Sequence, residues 1–195
     1  SYTLKSNHDV VANCHKMHAS LFTKQLLSVE HVVASFEKLY HTLKRLNPDV
    51  RIILTVSPVR HIKDTIELNQ VGKSVLRLAC HALTAQYDDV AYFPAYEIML
   101  DDLRDYRFYK ADMIHPTEEA EDYIWQKFTA CYADDTLKTF MPAWDEVRAA
   151  LQHKPFHATT RAHQHFLRST RGKIEKLQHL VNVDDELRMI DEQLL

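Results

Sequence analysis

Three short apolar runs, each followed by a stop and separated by long amphipathic stretches, constrain this chain more than any other feature. The runs are Val10-Val11-Ala12, Arg51-Ile52-Ile53-Leu54-Thr55-Val56 and Val90-Ala91-Tyr92-Phe93. Their length and β-branched content suit strands buried on both faces. Between the first two, Leu27, Val32, Val33, Phe36, Leu39, Tyr40, Leu43 and Leu46 recur at helical spacing. Ser28 is placed to cap that helix, with His31 at its third position, and Asn47-Pro48-Asp49 ends it. A second helix is expected over about Glu67 to Gln86, with Val71, Val75, Leu78, Ala79, Ala82 and Leu83 inward. Strand–helix–strand–helix–strand alternation predicts an α/β fold of parallel strands, right-handed crossovers and helices on both faces. Ligands in such sheets bind at the carboxyl ends of strands. Asn13, Ser57 and the Tyr96-Glu97 pair all fall just after expected strand ends.

Beyond Pro116 the pattern turns helical, over about Glu118 to Tyr132, Thr136 to Gln152 and Thr159 to Leu180, with a short tail helix after them. Lys154-Pro155-Phe156 reads as a break. The chain therefore divides into an α/β core over residues 1–134 and a helical extension over residues 135–195. Phe166, Leu167, Ile174, Leu177 and Leu180 share a face of that extension, which is expected to pack on the core or to make a homodimer contact.

Composition excludes several classes. A net charge of −3 gives no electrostatic footprint for nucleic acid or an anionic membrane. No apolar run approaches the roughly 20 residues that span a bilayer. Gly72 and Gly172 are the only glycines, so no glycine-rich phosphate or dinucleotide loop is possible within the chain. Cys14, Cys80 and Cys131 are odd in number and widely spaced, which points to a reducing, cytoplasmic setting rather than a disulfide framework. Cys14, His15 and His18 could gather near His61, but no second ligand pair stands at diagnostic spacing. His163 and His165 lie two apart on a helix and face different ways. Neither a metal nor another cofactor is expected. The opening Ser1-Tyr2-Thr3-Leu4 is no signal peptide, lacks an initiator Met and reads as a cut end.

The chemistry concentrates in Asp112-Met113-Ile114-His115-Pro116. Residues three apart in a turn let a carboxylate reach the imidazole of its own segment. A carboxylate on one ring nitrogen sets the tautomer and stabilises the imidazolium, leaving the other nitrogen to take a proton from a hydroxyl. Pro116 suits the first helical position, and Glu118 and Glu119 suit the first turn, so the histidine would stand at a helix entrance. Ser57 follows a strand and has His61 four residues on, but Thr55-Val56-Ser57-Pro58-Val59 lacks the small residues a nucleophile elbow needs. It reads as a strand-end serine. Arg60 and His61 sit at the same sheet edge and are expected to bind a polar or anionic substrate group. Tyr92, Phe93, Tyr96, Tyr106, Phe108 and Tyr109 suit packing, or the lining of an acyl or sugar pocket.

Four blocks then carry a resemblance. Asn13-Cys14-His15-Lys16, Ser57-Pro58-Val59-Arg60-His61, Tyr92-Phe93-Pro94-Ala95-Tyr96-Glu97 and the segment from Leu103 through Asp112 to Thr117 together resemble the GSCFA-domain family in order and spacing. That family is grouped with the SGNH, or GDSL-like, hydrolases. The resemblance implies a three-layer parallel sheet and acyl-ester hydrolysis, with carbohydrate deacetylation as one form. It implies a small ester or acylated carbohydrate as substrate, Asp112 and His115 as acid and base, and Asn13 as an oxyanion-hole amide. The eponymous Gly-Ser-Cys-Phe-Ala motif is absent from these residues. The first strand and the serine nucleophile are therefore expected upstream of Ser1, and the chain alone is expected to be inactive. A module that keeps the fold for binding or structure without turnover is the alternative.

Overall fold

A computed structural model describes residues 1–11, 16–61 and 65–195. It divides into two compact units, Ser1–Gln126 and Lys127–Leu195.

The first unit opens with three short strands, β1 (Tyr2–Leu4), β2 (Val10–Val11) and β3 (Phe22–Lys24), in the order β2-β1-β3. Both pairings are antiparallel: Thr3 opposes Val10 on one side and Thr23 on the other. This corrects the expectation for Val10-Val11, which pairs with Tyr2–Leu4 rather than entering a parallel sheet. Val10 is 73% exposed, so its apolar character reflects no buried strand.

Helix α1 (Val29–Leu46) starts where expected. The Ser28 hydroxyl accepts from the His31 N–H, and the backbone turns extended at Asn47, as a residue before proline should. Lys44 lies in the last turn, where a cation complements the helix carbonyls. It also anchors that end: its ammonium donates to the Pro48 carbonyl and pairs with Asp89 at 2.5 Å. Tyr40 donates to the same carboxylate at 2.9 Å, and these bonds hold Asp89 below the usual aspartate range.

The expected second and third strands are β4 (Ile52–Leu54) and β5 (Val90–Tyr92), joined by helix α2 (Thr65–Gln86). They pair in parallel, with Ile52, Ile53 and Leu54 opposite Val90, Ala91 and Tyr92. The ladder continues through Phe93 N–H to the Leu54 carbonyl at 2.8 Å. Among the described residues, parallel pairing is confined to these two strands. The unit is thus α/β with small sheets.

The buried residues of α2 are Lys73, Ala79 and Leu83. Val71 and Leu78, expected inward, are 42% and 56% exposed. Apolar residues occupy more than one side of this helix, Leu68 and Leu76 included, so hydrophobicity alone did not select the packed face. Beyond β5 come α3 (Ala95–Asp101), a 3-10 turn over Tyr106–Phe108, and α4 (Glu118–Tyr132). Met99, Leu103, Phe108, Tyr109 and Ala120 form their shared core, and this core seats the turn that carries Asp112 and His115.

The second unit holds α5 (Asp135–Gln152), α6 (Arg161–Leu177) and α7 (Asp184–Asp191). Asp134 and Thr160 cap the first two through the N–H groups of Leu137 and His163. Val147, Leu167, Ile174, Leu177, Val183 and Ile190 form the core. The apolar face expected on α6 is thus covered within its own unit, except Leu180, which is exposed. No helix among the described residues is long and apolar enough to cross a membrane.

Candidate functional site

The Asp112–His115 turn is closed by a chain of main-chain bonds. Lys110 N–H donates to the His115 carbonyl and Met113 N–H to the Lys110 carbonyl, both at 2.8 Å. Tyr109 and Pro116 form a β-bridge across its base, and Thr117 N–H reaches the Phe108 carbonyl at 2.9 Å. Met113 has φ 57°, a left-handed conformation that strains a side-chain-bearing residue by about 1 kcal/mol. Pro116 is not the first helical residue, contrary to expectation. It is buried in the bridge, and Thr117 supplies the cap, its hydroxyl accepting from the Ala120 N–H at 3.4 Å. A bridge at the mouth of the turn demands an extended residue there, and proline supplies one.

Inside the turn, Asp112 uses both oxygens. Oδ1 accepts the N–H groups of Ile114, at 2.8 Å, and His115, at 3.1 Å. Oδ2 stands 2.7 Å from Nδ1 of His115. The histidine contact and then the two N–H groups pull the Asp112 carboxyl down to about 2. An ionised carboxylate only accepts, so Nδ1 carries the proton and Nε2 is left as the acceptor. Nε2 has no hydrogen-bond partner among the described residues, and the His115 side chain is half-exposed. Carboxylate and imidazole are held in register, with Nε2 open.

Arg60 binds this turn from the segment that follows β4. Its N–H donates to the Ile114 carbonyl at 3.1 Å and its guanidinium to the Met113 carbonyl at 3.2 Å. The guanidinium carbon lies 3.7 Å from the Tyr109 ring centroid. Arg60 also borders a cleft of about 470 Å³ whose walls include Ile66, Tyr96, Leu100, Tyr109 and Met113.

His61 goes elsewhere. Its N–H donates to Asn69 Oδ1 at 2.8 Å, and it lines a separate hollow of about 300 Å³ with Leu26, Val32, Lys73 and Leu76. The structure therefore brings Asp112, His115 and Arg60 together and places His61 in a different hollow. Asn13 lies outside the described residues, as do Cys14 and His15. His18 caps a 3-10 turn through Ser20. Among the described residues, no group of three or more His, Cys, Asp or Glu side chains is placed to hold a metal ion. The Ser57 hydroxyl accepts the Val59 N–H at 3.2 Å, as a strand-end serine does.

One residue escaped the sequence. Lys73 is 9% exposed, donates to the Ser57 carbonyl and lies 5.7 Å from the Tyr96 ring centroid. Burial pushes its ammonium below the usual lysine range. It fastens the segment that leads from β4 to Arg60. A single lysine in an amphipathic helix gives no signal of this, because the carbonyl it meets is 16 residues away.

No curated protein and no solved structure matches the chain. Residues 144–195 match the GSCFA domain protein, C-terminal domain, and so account for most of the helical unit. Residues 1–128 match the GSCFA family, a span that holds β1 through the Asp112–His115 turn and most of α4, and the chain belongs to that family.

Proposed function

We propose that this chain carries the acid–base half of an SGNH-type ester hydrolase. One observation carries the reading: the 2.7 Å contact between Asp112 Oδ2 and His115 Nδ1, with Nε2 open. Asp112 holds the tautomer and stabilises the imidazolium. His115 takes a proton from the attacking hydroxyl and returns it to the leaving alcohol. The hydroxyl belongs to a serine outside these residues, on the strand–turn for which the family is named. Asn13 supplies an amide N–H to the tetrahedral oxyanion, a contact worth about 3–4 kcal/mol in such sites. Arg60 faces the polar part of the substrate, a small ester or an acylated carbohydrate. In this reading β4 and β5 belong to the parallel sheet of a three-layer SGNH fold.

The test is ester turnover in the protein extended upstream through the GSCFA motif. Hydrolysis of p-nitrophenyl acetate, lost at least about a thousandfold in His115→Ala, is the expected result. The 195-residue chain alone should show none. An extended protein that neither turns over esters nor reacts with a fluorophosphonate at serine would replace the hydrolase with a binding or structural module of the same fold. Turnover by the 195-residue chain, abolished by His115→Ala, would instead place the nucleophile within it.

A further inference from the structure

The cleft beside the acid–base turn has a composition that selects its occupant. At about 470 Å³ it is in the size range of small-molecule sites. Ile66, Leu100, Tyr106 and Met113 line it and stand open to solvent, with Ile66 76% and Tyr106 72% exposed. Apolar side chains gathered and left wet in one concavity mark a binding surface. The polar residues of the lining narrow the choice. Asn69 Oδ1 already accepts the His61 N–H, and Gln70 Oε1 already accepts the Tyr96 hydroxyl. Each amide keeps its NH₂ donor pair and one lone pair on its oxygen, and Arg60 offers donors only. Donors outnumber acceptors on this polar side, so a ligand that mainly accepts is matched better than a sugar, each of whose hydroxyls also brings a hydrogen to place. A ligand with an apolar body and a carbonyl or carboxylate as its polar end meets both the open apolar wall and those donors.

We infer that this cleft holds the acyl part of the substrate: a medium-length chain with its carbonyl end toward the donors of Arg60, Asn69 and Gln70. The inference rests on the hydrolase reading for the presence of an acyl group, and it names that substrate's class. Met113 makes the connection, since it lines the cleft and is the residue after Asp112. The acyl chain then lies along the turn that carries the base, and an alcohol of any kind can lie on the other side.

Binding can be read without turnover. Sodium octanoate is titrated into the 195-residue chain and amide shifts are followed by NMR, with sodium acetate and N-acetylglucosamine as comparison ligands. Octanoate should move the amides of Ile66, Leu100 and Met113 and saturate in the millimolar range, with acetate and the sugar far weaker. Ile66→Asp and Leu100→Gln, both at exposed positions, should each weaken octanoate by about fivefold or more. Unmoved cleft amides, equal shifts with acetate, stronger shifts with the sugar, or undiminished binding in both variants would each overturn the assignment. Octanoate binding in an extended protein that hydrolyses no ester keeps the cleft and removes the hydrolase. Hydrolysis of acetyl esters with a cleft that ignores octanoate does the reverse.

Discussion

The guanidinium of Arg60 stacks on Tyr109 at 3.7 Å while donating to the Met113 carbonyl at 3.2 Å. A residue 52 positions before Asp112 in sequence is therefore a wall of the turn that orients His115. Planarity matters in that place, because a guanidinium can stack and donate at once and an ammonium cannot. Arg60→Ala should raise amide hydrogen exchange at Lys110, Ile114 and His115 by about fivefold to tenfold, the loss of roughly 1 kcal/mol of local stability. Arg60→Lys should fall between the two. Unchanged exchange at all three amides would show that the turn holds itself.

Asp112 should titrate near 2, well below a free aspartate. Its folded value is depressed, so the stability it contributes is complete above the unfolded value, about 3.9, and is lost as the pH falls through 2. Carboxyl NMR of the folded chain checks the value directly. His115→Ala should bring it back up towards the ordinary range, because the histidine is the largest cause of the shift. Asp112→Asn should flatten the acid limb of stability between about pH 4 and 2 relative to the parent. A parent titration near 3.9 would mean that the Oδ2–Nδ1 contact is not kept in solution.

What could be read from the sequence was local or periodic. The Ser28 cap, strands β4 and β5, and the Asp112–His115 spacing are each set by neighbours within a few residues, and all three appear in the structure. The pairing of Val10-Val11 with Tyr2–Leu4 depends on a three-residue partner strand too short to announce itself. The packed face of α2 was hidden because apolar residues lie on several of its sides. The roles of Arg60 and Lys73 depend on Met113 and Ser57, carbonyls that any residue possesses, so no side-chain pattern marks them.

The helical unit should depend on Ile174. That side chain is fully buried and belongs to the core shared by α5, α6 and α7. Ile174→Ala removes three carbons and leaves a cavity, at a cost of about 2–5 kcal/mol. Loss of slow amide exchange along α6, or a lowered urea midpoint for that unit, would record it. A cost under about 1 kcal/mol would show that α6 packs more loosely than its burial indicates.

Glu97 should bind Tyr92 and Arg77 as a unit. The Tyr92 hydroxyl reaches both carboxylate oxygens, at 2.8 and 3.0 Å, and Arg77 Nε reaches one at 2.9 Å. The Arg77 guanidinium also covers the Tyr92 ring, 4.2 Å from its centroid. Burial, and then the Glu97 contact, raise the Tyr92 phenol far above the usual tyrosine value. An acid whose folded value is raised contributes stability that is complete below the unfolded value, about 10, and is lost as the pH rises beyond it. Tyr40, Tyr87 and Tyr96 are raised in the same sense, so the whole alkaline limb should slope downward. Tyr92→Phe should remove part of that slope and lower stability at neutral pH by about 1–2 kcal/mol, since Glu97 loses a donor while remaining half-buried. The same substitution in an Arg77→Ala background should not cost the same amount, because both side chains act through one carboxylate. Strict additivity of the two variants would show that Glu97 is solvated independently of them.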